Sequence, residues 1–112
     1  MGSKILETIT ESMFYVLMAF RSGQMYGSEI AQWVEKKTGG RVRLGPGTLY
    51  TILSRFENEA VIKETEVDGR KRRYAITSKG IEIYENERLR LQKCLENAMK
   101  EEETRVEKKG EV

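Results

Sequence analysis

Apolar residues recur at three- and four-residue spacing from Ile9 through Met13, Val16 and Leu17 to Phe20. That pattern predicts one buried face of a helix running roughly from Glu7 to Ser22. Phe14, Tyr15 and Met18 lie off the stripe, so this helix is apolar around most of its circumference and needs cover on two sides. A chain of 112 residues has little material for both, and a partner subunit is the expected second cover. Gly23 is placed to end the helix. A second helix is predicted from about Gly27 to Thr38, with Ile30, Ala31 and Val34 inward and Gly39-Gly40 ending it. Arg41-Val42-Arg43-Leu44 alternates basic and apolar residues, the pattern of a brief strand. Gly45-Pro46-Gly47-Thr48 then makes a turn and opens a third helix, because proline at the first helical position gives up only an N–H that has no partner there. That helix runs to about Glu59 and buries Leu49, Ile52, Leu53 and Phe56.

A hairpin follows, with one strand over 60–67, a turn at Asp68-Gly69 and a return strand over 70–77. Asp-Gly between strand-like runs is the type I′ signal, since both central residues of that turn need positive φ. A fourth helix starts near Ser78, and its amphipathic pattern lasts to about Met99; the charged residues beyond are expected to fray. Three helices, a hairpin and a long helix predict a mainly α fold with a β-hairpin wing: a winged helix-turn-helix over residues 1–77 and a C-terminal dimerisation helix over 78–112.

Charge sharpens this picture once it is divided along the chain. The net formal charge is only +2, yet residues 41–80 carry nine basic against five acidic groups, while residues 1–40 balance and residues 81–112 are slightly acidic. A basic centre is what a polyanion-binding surface requires. There is no histidine, so the commonest general base and metal ligand is missing. Cys94 is the only cysteine, which rules out an internal disulfide and a zinc knuckle. No nucleophile–base pair or metal cluster can be assembled, so neither catalysis, nor a metal, nor a cofactor is expected. Apolar runs stay well short of the ~18 residues of a membrane span. Met13 to Phe20 lacks the flanks of a signal peptide, and Leu6 stands where a myristoylation motif needs Ser or Thr. A cytoplasmic protein is expected.

With Leu49, Ile52, Leu53 and Phe56 inward, the third helix presents Thr48, Thr51, Ser54, Arg55 and Asn58 outward, with Tyr50 at the edge. Small hydroxyls approach phosphates and base edges closely, Arg55 can reach a phosphate or a guanine, and the amides after Pro46 attract anions. The competing reading is an ordinary solvated face. In the hairpin, a two-residue turn at Asp68-Gly69 pairs Glu66 with Lys71, Thr65 with Arg72 and Glu64 with Arg73. Lys71 and Arg73 are then structural ion-pair partners, and Arg70 and Arg72 project without an acidic partner as the wing's DNA ligands. The competing reading is an edge strand protected from aggregation by charge.

These residues resemble the PadR family of transcriptional regulators. The resemblance rests on Met25-Tyr26-Gly27-Ser28-Glu29-Ile30; on Pro46-Gly47-Thr48-Leu49-Tyr50 with Leu53, Arg55 and Phe56; and on Gly69-Arg70-Lys71-Arg72-Arg73-Tyr74 with Ile76-Thr77 and Gly80. It covers about residues 12–81, and the Pro46–Tyr50 run is its most specific part. The resemblance implies a homodimer joined through the first and last helices, usually a repressor, that many members release from DNA on binding a small apolar or phenolic molecule. Carried over by position, it implies DNA contacts from Thr48, Tyr50, Thr51 and Arg55, and from Gly69 and Arg70 on the wing. The short chain with one helix after the wing is similar to the family's compact branch. Two positions depart: Ser28 stands where an aromatic often follows the glycine, and Ala60 where glycine is usual. Some compact members also carry a drug-stacking tryptophan on the last helix, where this chain has Glu96 and Asn97.

The last helix carries a heptad-like track of Ile81, Tyr84, Arg88, Leu91, Leu95 and Ala98, which Arg88 interrupts. It is expected to pack on the first helix of a partner; the alternative is an amphipathic helix folded on its own domain. Cys94 and Trp33 read as packing residues rather than as a redox switch or a ligand box. An effector pocket between the first and last helices would use Phe14, Tyr15, Met18, Leu91 and Leu95. The function expected is a dimeric regulator, a repressor, of a palindromic double-stranded operator. The alternative is a winged-helix protein-interaction module that binds no DNA.

Overall fold

The computed structural model describes residues 8–110. Its elements are α1 (Glu11–Ser22), β1 (Met25–Tyr26), α2 (Gly27–Lys37), α3 (Pro46–Asn58), β2 (Ile62–Asp68), β3 (Lys71–Ile76) and α4 (Ser78–Gly110). The chain folds as expected, mainly helical with a hairpin behind the third helix, but several boundaries move. Thr10 fixes the start of α1: its backbone is extended and its hydroxyl accepts from the Met13 N–H at 3.1 Å, leaving Ile9 outside the helix. The expected start at Glu7 lies outside the described residues. Met13, Val16, Leu17 and Phe20 are buried as the stripe requires, joined by Ala19. The second side of α1 is half covered by the chain itself. Phe14 stacks on Tyr84 of α4 at 5.3 Å between ring centroids, and the Tyr15 hydroxyl accepts from Arg41 at 2.9 Å.

The core is completed by Ile30 and Val34 of α2, Leu49, Ile52, Leu53 and Phe56 of α3, Val61 and Ile62, Tyr74 of β3 and Ile83 of α4. Trp33 packs at its margin, with Lys37 over the ring. Residues 41–44 are not a strand. Val42 and Leu44 bury their side chains and Arg41 and Arg43 stay outside, so the alternation holds, but their backbone pairs with no strand. The third strand is instead β1, which pairs antiparallel with β3 through Met25–Tyr74 and Tyr26–Arg73 and gives the sheet order β1-β3-β2.

The hairpin register differs from the sequence expectation. Asp68 pairs with Lys71, so Gly69 and Arg70 are the turn residues rather than Asp68 and Gly69. Gly69 has φ +61° and Arg70 does not share the positive sign, the requirement of a turn whose first central residue alone is left-handed. A bulge at Thr65 shifts the ladder once more: Glu66 pairs with Arg73 but Glu64 with Tyr74. The Thr65 hydroxyl bridges the Arg73 carbonyl and the Gln24 side chain.

A compact junction ties the end of α3 to the start of α4. Ala60 takes φ +59°, the only positive value at a non-glycine among the described residues. The Thr77 hydroxyl donates to the carbonyls of Ala60 and Val61 and accepts from the Gly80 N–H, capping α4. Lys79 donates to the Glu59 carbonyl at 2.7 Å. Gly80 lies flush on the segment just before β2, and a Cβ there would collide with the Val61 carbonyl. α4 then runs unbroken to Gly110 rather than fraying after Met99. It draws the molecule out to 68 × 36 × 22 Å.

Candidate nucleic-acid interface

Pro46 occupies the first turn of α3, with Gly45 extended before it, so the first amides that follow have no partner within the helix. The core stripe fixes the rotation of α3. Leu49, Ile52, Leu53 and Phe56 are buried, while Thr48, Tyr50, Thr51, Ser54 and Arg55 are exposed, Tyr50 at 55%. An aromatic this exposed contributes little to the core and is available to a ligand.

Two grooves flank this face. On one side Thr48, Thr51 and Arg55 border a groove of about 660 Å³ with Thr10, Ser12 and Met13 of α1. On the other, Tyr50 and Ser54 border a groove of about 280 Å³ with Gly27 and Ser28 at the start of α2 and Arg70, Lys71 and Arg72 of the wing. The fold therefore gathers most of the sequence-predicted residues along α3 and its wing-side groove. Two residues that sequence reasoning assigned elsewhere, Ser28 and Lys71, join them. Only the paired register and the helix N-terminus place them there.

The wing's electrostatics also change with the register. Arg72 is not free: it lies beside Tyr74 in the wing-side groove and pairs with Glu64 at 3.5 Å. Arg73 pairs with Glu66 at 3.7 Å and not with Glu64, and its guanidinium covers the Tyr26 ring. Lys71 has no carboxylate partner among the described residues, and neither does Arg70 or Arg55. The shifted turn sets Glu66 opposite Arg73, and the bulge sets Glu64 opposite Tyr74, where Arg72, two residues along β3 on the same face, reaches it diagonally; Lys71 stands opposite Asp68 without forming an ion pair. Burial raises the pKa of the Tyr74 hydroxyl above its ordinary value, Glu57 adds to this, and Arg72 partly offsets it. Tyr74 is thus a neutral floor to the wing-side groove. Arg41 and Arg43, counted with the basic centre in the sequence, are occupied: Arg41 by Tyr15 and Glu11, Arg43 by Glu35.

Residues 16–86 match the transcriptional regulator PadR-like family. The chain belongs to that family. It is a family of transcriptional regulators rather than of enzymes. Among solved structures, the PadR-like chain is similar to a transcriptional regulator from Clostridium thermocellum, with a TM-score of 0.67 and 27% identity over 88% of this chain and 96% of that one. It shares its fold with a PadR-like transcription factor from Bacteroides fragilis (TM-score 0.66, 21% identity, 78% and 85% of the two chains). It shares it also with Bacillus subtilis PadR in complex with operator DNA (TM-score 0.62, 18% identity, 70% and 47% of the chains). A 37.1 kDa transposon protein of Streptomyces fradiae is 35% identical over 77 residues. Those residues are 69% of this chain, which spans only 22% of that relative's length.

The residues expected to line an effector pocket are not gathered around one cavity in a single chain. Phe14 and Tyr15 are engaged with Tyr84 and Arg41, whereas Leu95 lines a shallow apolar surface of α4 with Ala98 and Met99. Leu91 and Leu95 are 40% and 61% exposed. No described helix is long and apolar enough to cross a membrane.

Proposed function

We propose that this PadR-like protein is a homodimeric, sequence-specific DNA-binding regulator that acts in the cytoplasm as a repressor of a palindromic operator. The observation that carries the reading is the grouping of α3's polar face with the unpaired cations of the wing tip. Pro46, the backbone amides of the residues after it, and Thr48, Tyr50, Thr51, Ser54 and Arg55 enter the major groove, where hydroxyls and a guanidinium read base edges and phosphates. Gly69 lets the wing tip approach the backbone closely, and Arg70 and Lys71 neutralise phosphates beside it. Arg72 acts through its bridge to Glu64, holding the wing's shape. Residues 1–77 supply the DNA-binding unit. Residues 78–112 supply the dimerisation helix, whose first turns share the core. Dimerisation through α1 and α4 brings Leu91 and Leu95 of one chain near Phe14, Tyr15 and Met18 of the other, and a small apolar or phenolic effector would bind there.

Selection of bound duplexes from a random pool with the purified protein, followed by salt-titrated binding of the selected duplex, tests this. The expected outcome is a two-fold symmetric site and an affinity falling with a log–log slope of about 0.9 per neutralised phosphate. Recovery of no duplex at low salt would favour a protein-interaction module instead.

A further inference from the structure

Residues 38–45 join α2 to α3 without helix or strand, and near their start stand two successive left-handed glycines, Gly39 at φ +61° and Gly40 at φ +84°. Glycine leaves a chain its greatest freedom, so such a segment keeps one place only where the side chains after it hold it there. Val42 and Leu44 hold it from the inside by burial, and the Val42 N–H donates to the Thr38 hydroxyl at 3.0 Å. On the outside, Arg43 turns back to Glu35 at 3.5 Å and so ties the segment only to the helix it has just left. Arg41 reaches a different helix, and it does so five residues before Pro46 opens α3.

One terminal nitrogen of the Arg41 guanidinium donates to Glu11 at 3.2 Å and the other donates to the Tyr15 hydroxyl at 2.9 Å. Glu11 and Tyr15 lie four residues apart, about one turn of α1, so the planar fork of an arginine engages both at once. The guanidinium carbon also lies 5.8 Å from the centre of the Tyr15 ring. Phe14 meets that ring edge-on at 6.2 Å and itself stacks on Tyr84, which steadies the acceptor. The Arg41 and Glu11 side chains are 58% and 62% exposed, so the tie adds little to the stability of the whole chain. Its effect is local: it takes freedom from the one segment that leads into α3.

We propose that Arg41 is a positioning residue for DNA reading: its fork ties the α2–α3 segment to Glu11 and Tyr15 of α1, so that the first turn of α3 is in place before DNA arrives. This rests on the DNA-binding function proposed above. A cation engaged in this way neutralises no phosphate. It supplies order that binding would otherwise have to impose, and that cost would appear as lost affinity. The placement of α3 matters only where its side chains meet base edges. Binding to a duplex of random sequence depends on phosphate neutralisation and is indifferent to the tie.

Fluorescence anisotropy on the selected duplex and on a random-sequence duplex, each across a salt series, tests this together with hydrogen exchange of the free protein. Arg41→Ala is expected to weaken the selected complex about two- to tenfold, the scale of ordering one more side chain and its segment. The salt slope and the affinity for random duplex are expected to stay at the parent's values. Tyr15→Phe, which removes only the hydroxyl, is expected to act in the same direction, and the double variant to bind no more weakly than Arg41→Ala alone. Without DNA, two amides are expected to exchange faster in both variants: that of Val42, and that of Leu49, which donates to the Gly45 carbonyl at 3.0 Å at the start of α3. A salt slope lower by about 0.9 in Arg41→Ala would mean that Arg41 meets phosphate, and overturns the positioning role. An equal loss on both duplexes, or losses of the two variants that add, overturns it too. Faster exchange with unchanged affinity overturns this role and leaves the DNA-binding function standing, whereas a parent that binds no duplex at low salt overturns both.

Discussion

Ala60 sits where the family resemblance leads one to expect glycine, and the backbone shows the reason: φ is +59° there. An alanine in this region carries about 1 kcal/mol of strain from its Cβ against the carbonyl. Ala60→Gly is therefore expected to raise the stability of the chain by up to about 1 kcal/mol, less whatever the unfolded chain gains in freedom, and thermal unfolding reads the difference. Gly80 is the opposite case. Its Cα lies so close to the Val61 carbonyl that a methyl group has no room. Gly80→Ala is expected to cost about 1–3 kcal/mol, with a matching fall in Tm, as overpacking does elsewhere. The glycine was legible in the sequence as part of a motif. Its reason was not, because close backbone approach leaves no trace in composition or periodicity.

α1, α2 and α3 were legible to within a few residues because each has a buried stripe of period 3.6, and α3 in particular buries the residues its spacing predicts. Shorter elements were not. β1 is two residues long, too short for any period, and the alternation at 41–44 reports burial on one side without a strand partner. The extension of α4 past Met99 has too few apolar positions to show a period. Lys, Glu and Arg favour helix intrinsically, and pairs such as Arg105 with Glu102 support it locally. The wing was legible but its register was not: Asp-Gly marks a turn without saying which two residues are central, and the bulge at Thr65 has no signature of its own. The observed register orders the wing variants. Arg70→Ala and Lys71→Ala should each weaken operator binding and lower the salt slope by about 0.9. Arg72→Ala should leave that slope nearly unchanged. Fluorescence anisotropy across a salt series reads both; the largest slope change at Arg72 would mean that it meets phosphate rather than bracing the wing through Glu64.

At the scale of the whole molecule, most of the core lies between Met13 and Ile83, and the outer part of α4 contributes no buried residue of its own beyond Glu87. A chain ending at Arg90 is accordingly expected to keep its helical circular dichroism per folded residue and its cooperative unfolding, yet to sediment as a monomer. Binding to a two-fold operator should fall by about 10²-fold or more, because the second half-site is no longer delivered by the first. Loss of folding on truncation would instead make the outer helix part of the stabilising core.

The junction around Ala60, Thr77 and Gly80 has a mechanical consequence. α4 is clamped through Thr77, Lys79 and Gly80 to the segment that closes α3, with no flexible linker between them. In a dimer joined along α4, each outer helix is a lever arm and the junction its rigid elbow. A few degrees of change in the crossing angle at the seam would swing the two recognition helices by ångströms, enough to misalign them with successive grooves. A molecule lodged far from the DNA would thus need to deform no part of the reading head; wedging the seam would be sufficient to retune the distance between the two heads.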